Sequence, residues 1–138
     1  MRAEIKKQNK SVHQIVTLAS IVEKEMFGAE NRKIVAGVFL NRIKQGIPLQ
    51  SDATVNFITA KGTTRPSRAD TQIDNPYNTY KYYGLPPGPI SAPGLDSIKA
   101  AIYPEANNYW YFLTTFDGEV KYGADLDEHN RNVRKYLR

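Results

Sequence analysis

Between Glu30 and Lys44 the chain carries Ile34, Val35, Val38, Phe39, Leu40 and Ile43. At about 100° per residue these side chains point to nearly every side of a helix. A helix without a polar face has to be surrounded by other elements, so this one is expected at the centre of the fold, ended by Gly46. The chain supplies its neighbours. From about Val12 to Phe27, Ile15, Leu18, Ala19, Val22 and Met26 recur at helical spacing, with Ser11 as N-cap and Gly28 as stop. "SDATVNFITAKG" predicts a short helix capped by Ser51 or Asp52 and ended at Gly62, and "APGLDSIKAAIYP" a helix bounded by Pro93 and Pro104. "YWYFLTTFDGEVKYG" predicts a hairpin turned at Asp117-Gly118, and "DLDEHNRNVRKYL" a closing helix with Val133, Tyr136 and Leu137 inward. The expected class is α+β, mainly α, with a small β-hairpin.

A chain of 138 residues suits one domain and buries roughly two thirds of its unfolded surface without a disulfide or metal. No repeat or linker divides it, so residues 1–138 are expected to form a single domain, with 1–10 a flexible or truncated lead-in and about 11–138 the core. At 41% hydrophobic and 24% charged it is neither disordered nor fibrous. No apolar run approaches the ~20 residues of a membrane-spanning helix, and "MRAEIKKQNKS" has no signal-peptide h-region. The absence of cysteine removes any redox question. The net charge of +5 would suit nucleic acid, an anionic membrane face or an acidic polymer. The basic clusters are terminal, Lys6, Lys7 and Lys10 at one end and Arg131, Arg134, Lys135 and Arg138 at the other, and solvated faces explain them better than a nucleic-acid patch.

The first long helix raises a chemical question, because "LASIVEKEM" places two glutamates at the end of an apolar run. With Ile15 at the origin of a helical wheel, Glu23 falls at roughly 80°, between Ala19 and Val16, and Glu25 at roughly 280°, on the flank of Ile21 and Leu18. The two point about 160° apart and cannot work as a pair. Among apolar neighbours Glu23 would have a raised pKa and serve as a general acid near neutral pH. The alternative is a flank glutamate that reaches solvent or caps a loop. Glu25 either supports the site or pairs with a base such as Arg42, and the second is favoured.

Residues 63–93 are rich in proline, glycine, asparagine and tyrosine, a long irregular stretch of the kind that carries function. Tyr77, Tyr80, Tyr82 and Tyr83 offer ring faces and hydroxyls suited to sugars, and Asn78, Thr79 and Gln72 add polar partners. The prolines of "GLPPGPISAPG" stiffen a wall. Asp125, Asp127, Glu128 and His129 fit a capped helix start better than a metal site, and no nucleophile or phosphate-loop signature is present. No metal or cofactor is expected.

In order along the chain, "LASIVEKE", "AGVFLNRI", "PLQSDATV", "YNTY", "GLPPGPISAPGLDSIKAA" and "HNRNV" resemble the catalytic domain of the endolytic murein transglycosylases, the MltG or YceG-like family, over nearly all of Leu18 to Leu137. The resemblance implies a lysozyme-like helical core and a lytic transglycosylase that cleaves the MurNAc–GlcNAc bond of nascent peptidoglycan strands, leaves 1,6-anhydro ends and terminates elongation. It implies Glu23 as the catalytic acid. By likeness to the wider lytic transglycosylases it implies Gln50, Tyr77 and Asn78 as residues holding sugar and acid, with Tyr80 beside them. It further implies an exported protein with an N-terminal membrane anchor absent from this chain, acting beside peptidoglycan synthases and binding no nucleic acid. The open alternatives are a non-catalytic peptidoglycan-binding module and a lysozyme-type hydrolase, with Asp52 or Asp70 as second carboxylate.

Overall fold

The computed structural model describes residues 1–61 and 65–137. Six helices and one hairpin follow in the order α1 (Arg2–Lys7), α2 (Val12–Glu25), α3 (Ala29–Gln45), α4 (Asp52–Thr59), α5 (Leu95–Ile102), β1 (Tyr111–Thr114), β2 (Val120–Gly123) and α6 (Leu126–Tyr136). The class is mainly α with a small β element, as the sequence pattern requires. Among the described residues no helix is long and apolar enough to cross a membrane.

Local signals set most of the boundaries. Ser11 and Gln14 form a reciprocal capping box at the start of α2, and α3 ends at Gly46 in the left-handed conformation. The hairpin pairs Tyr111 with Gly123 and Thr114 with Val120, its connection carrying Gly118 at φ 92°. Two boundaries differ from expectation. Helix α4 stops at Ala60, itself left-handed at φ 57°, ahead of Gly62, which lies outside the described residues together with positions 63 and 64. The lead-in before residue 11 carries α1, whose buried Ile5 joins the core while Gln8 donates to the Ile102 carbonyl at 2.7 Å.

Helices α2 and α3 are the central pair, and α5 packs against both. Their buried faces contribute Ile15, Leu18, Ile21, Val22, Val35, Phe39 and the Ala100-Ala101-Ile102 run. The hairpin closes one side through Phe112, edge-on to Phe39 at 5.8 Å. In α6 no residue is fully buried, and Val133, Tyr136 and Leu137 are partly covered. The irregular stretch is fastened to α2 by one face of that helix. Ser20 Oγ accepts from Ile90 N at 3.0 Å, the Ser91 hydroxyl donates to the Ser20 carbonyl at 3.0 Å, and the His13 ring meets the Pro87 carbonyl at 2.7 Å.

The segment after α5 crosses α3 at Gly37. A Cβ there would sit well inside contact distance of the Glu105 carbonyl oxygen and close to Asn107 Nδ2. Asn107 cannot move freely, because its amide donates to the Ile34 and Glu105 carbonyls at 3.1 and 3.0 Å and its Oδ1 accepts from Tyr109 N at 2.9 Å. Helix propensity alone would make Gly37→Ala stabilising by about 1 kcal/mol. The backbone clash outweighs that, so we expect a net loss of about 2 kcal/mol, read as a lower urea midpoint. A variant as stable as the parent would refute this crossing.

Candidate active site

The two glutamates of α2 occupy different environments. Glu23 faces the start of α5. Its Oε1 accepts from Gly94 N at 2.8 Å and from the Ser97 hydroxyl at 3.0 Å, and its Oε2 accepts from Arg32 Nη2 at 2.9 Å. Three donors and no acceptor surround a side chain that is 25% exposed. The Gly94 N–H, helped by Ser97 and the Arg32 charge against a smaller opposing effect of burial, holds the Glu23 carboxyl below the usual range. The expectation of an apolar pocket and a raised pKa at Glu23 is therefore corrected. The wheel reported apolar neighbours on α2 itself and was blind to the polar groups brought by α5 and α3.

Glu25 faces α4. Its Oε1 accepts from the Ser51 hydroxyl at 2.5 Å and, at the long distance of 3.4 Å, from Ala53 N. Its Oε2 has no hydrogen-bond partner among the described residues. Burial is the largest influence on this carboxyl and raises its pKa, the neighbouring Asp52 charge adds to the rise, and the Ser51 and Ala53 donors oppose it. The expected pairing with Arg42 does not form. Arg42 donates to the Trp110 carbonyl at 2.8 Å and the Pro48 carbonyl at 2.7 Å, with its guanidinium 4.9 Å from the centre of the Tyr111 ring.

Glu25 lies in the wall of a cavity of about 620 Å³ that also includes Gln50, Asp52, Tyr80, Tyr111 and His129. Several elements build it. Helix α4 supplies Asp52, whose Oδ1 accepts from the Tyr80 hydroxyl at 2.5 Å. Gln50 stands at a left-handed φ of 52°, unusual for a residue with a side chain. Its N–H donates to the Thr79 carbonyl at 3.2 Å and Ser51 N–H to the Thr79 hydroxyl at 2.9 Å, which seats the tyrosine loop on the start of α4. On the far side His129 stacks on Tyr111 with ring centres 4.9 Å apart. Helix α6 comes that close because position 123 is glycine, where a Cβ would meet the His129 backbone at 3.1 Å.

Of the residues expected from the sequence, Gln50 and Tyr80 share this cavity, and Glu23, Tyr77 and Asn78 do not line it. Asn78 is fully buried, its Nδ2 donating to the Thr71 and Ile73 carbonyls at 3.0 and 2.9 Å and its Oδ1 accepting from Tyr80 N at 3.0 Å. Its amide is spent on shaping the loop. Tyr77 packs against the core with its ring 5.1 Å from that of Phe57. Tyr82 donates to Asp74, and Tyr83 is 71% exposed. Asp70 is bound to Lys61 at 2.7 Å and does not line this cavity. Asp125 caps α6 by accepting from Glu128 N at 2.7 Å, and no metal-binding cluster is found among the described residues.

A model of the YceG-like family matches residues 1–135. The chain belongs to the YceG-like family. This YceG-like chain is 43% identical over 136 residues to the endolytic murein transglycosylase of Bacillus subtilis, and 39% identical over 139 residues to that of Streptococcus pneumoniae strain D39. Those matches take in 99% and 96% of this chain but only 38% and 25% of the relatives' own lengths. The crystal structure of a putative YceG-like protein from Listeria monocytogenes superposes with a TM-score of 0.89 at 44% identity, over 94% of this chain and 43% of that one.

The opposite environments of the two glutamates give opposite pH dependences. A depressed folded pKa at Glu23 adds stability above the unfolded value of about 4.3, lost as pH falls through the folded pKa. A raised folded pKa at Glu25 adds stability that is complete below about 4.3 and lost as pH rises through the folded pKa. Relative to the parent, Glu23→Gln should therefore lose stability as pH rises from acid to neutral, and Glu25→Gln should gain. Urea midpoints of the three proteins across that range read the two slopes, and slopes of the same sign would refute the assignment of environments.

Proposed function

We propose that this chain is the catalytic portion of an endolytic peptidoglycan lytic transglycosylase and that its acid is Glu25, not Glu23. The observation that carries the reading is the division of labour within the Glu25 carboxyl. One oxygen is held by Ser51 and Ala53, and the other has no protein partner among the described residues, within a cavity that also offers Gln50, Asp52 and Tyr80. A carboxyl whose hold on its proton is strengthened by burial, with its orientation fixed through one oxygen, can present a proton on the other. Glu23, loaded with three donors, holds a proton less readily than a free carboxyl group. The likeness to proteins named endolytic murein transglycosylase supplies the substrate class.

The reaction then needs one carboxyl group. Glu25 Oε2 protonates the glycosidic oxygen between N-acetylmuramic acid and N-acetylglucosamine as the bond to the anomeric carbon breaks. The muramyl C6 hydroxyl attacks that carbon and returns its proton to Glu25, leaving a 1,6-anhydro end and no role for water. Positive charge develops on the sugar ring in the transition state, and the Asp52 carboxylate, held by Tyr80, is a negative charge close by. Family resemblance extends the reading to the whole protein, in which a membrane-anchored domain outside the cytoplasm terminates strand elongation beside peptidoglycan synthases.

Mass spectrometry of glycan strands digested in heavy-oxygen water tests the chemistry. We expect anhydro ends without label, whereas labelled reducing ends would make the chain a hydrolase using Asp52 as second carboxylate. Glu25→Gln should lower the rate by at least about a hundredfold while Glu23→Gln, where folded, keeps most of it. The reverse ranking would return the acid to Glu23.

A further inference from the structure

Glu25 borders a second cavity. Glu25, Asp52 and Asn56 line both the first cavity and another of about 550 Å³. Glu25 therefore stands between two cavities, with room for ligand on either side. In α4, Ala53 and Phe57 are four residues apart and so share one face of the helix, and together with Ala60, just past the helix end, and Ile90 they form the apolar wall of the second cavity.

Two details of that wall point to a ligand. Phe57 is 48% exposed, yet its ring is held against Tyr77 with centres 5.1 Å apart and planes inclined by 34°. An exposed aromatic ring kept in place by a second ring leaves a face on which a flat or apolar ligand surface can stack. Asn56 lines both cavities, and its buried Oδ1 has no hydrogen-bond partner among the described residues. A buried acceptor without a donor is unfavourable until a donor is brought to it.

We propose that the second cavity is a carbohydrate subsite, in which N-acetylated aminosugars of the same strand, on the other side of the scissile bond from those in the first cavity, stack on Phe57 and offer an acetamido N–H to Asn56. The inference rests on the reading of Glu25 as the acid. It explains how a strand can be cut within its length: the acid is reached by a chain that continues in both directions, and an end of the strand is not needed to position the bond. Apolar sugar faces match the wall of Ala53, Phe57, Ala60 and Ile90, and the acetamido group supplies the donor that Asn56 lacks.

Binding separates this proposal from the reaction itself. In the Glu25→Gln protein, which should not cleave, affinity is measured for purified peptidoglycan oligosaccharides of increasing length. Affinity should rise with length until both cavities are filled. Adding Phe57→Ala should remove roughly tenfold of that gain for the long oligomers, with less effect on a disaccharide, and Phe57→Tyr should restore it. Phe57 is half exposed, and melting curves of each variant verify that the fold is kept. Should Phe57→Ala leave affinity unchanged at every length, or weaken all lengths equally, the subsite is refuted. Should the parent protein yield no anhydro ends, the proposed function fails, a result read in a different assay and independent of Phe57.

Discussion

Helices α4 and α5 each lack a cap of their own, and α2 supplies both. Neither short helix receives a hydrogen bond from its own N-cap side chain. Ser51, which stands where it could cap α4, donates its hydroxyl to Glu25, and Glu25 in turn faces the Ala53 N–H in the first turn. At α5 the N-cap is Gly94, which has no side chain, and Glu23 takes its N–H and the Ser97 hydroxyl. A carboxylate at the positive end of a helix is a favourable contact, and here it is made between elements distant in sequence. The last turn of α2 is thus the point at which the starts of α4 and α5 are tied to the central pair.

The same device gives the two carboxyl groups different chemistry. At Glu23 both oxygens are filled by donors, one of them cationic, and these favour the carboxylate form. At Glu25 one oxygen does the structural work, while burial and the Asp52 charge favour the proton. Two residues of one type, separated by a single lysine, become a clamp and a candidate acid because the elements facing them differ. The walls of the cavity follow from this arrangement. Once α4 is fixed on Glu25, Thr79 is bound between Gln50 N, Ser51 N and Thr54 Oγ1, and Asn78 shapes the turn that brings Tyr80 to Asp52.

Much of the fold was legible because its signals are local. The capping box at Ser11, the left-handed Gly46, the Asp117-Gly118 turn and the surrounding of α3 all depend on spacings within a few residues. The end of α4 was misplaced because Ala60 takes a left-handed conformation that glycine usually provides, so Gly62 looked like the natural stop. The site was legible in part. Gln50, implied by family resemblance, and Tyr80, singled out in the tyrosine-rich loop, both line the cavity, but Asn78 looks the same in sequence whether its amide faces a sugar or its own loop. A helical wheel places Glu23 and Glu25 on opposite flanks of α2 without saying what packs there. Both flanks are buried in the fold, with Ala19 on one and Leu18 and Ile21 on the other, so apolar neighbours could not distinguish them. The missing information is long-range: the 71-residue separation of Glu23 from Gly94 and the 26-residue separation of Glu25 from Ser51.

Those long-range contacts also explain why a residue suited to acid chemistry can stand in the cavity without unfavourable exposure or an unpaired charge. A buried carboxylate is costly unless hydrogen bonds satisfy it, and a buried neutral carboxyl group still needs its carbonyl oxygen partnered. Ser51 and Ala53 meet that need in either protonation state, because both donate to the same oxygen. The proton can therefore leave and return at Oε2 without rearrangement of α4. A site whose supporting hydrogen bonds do not change with the reaction is preorganised in the sense that matters for catalysis, and in this chain that support comes from the contact which holds the fold together.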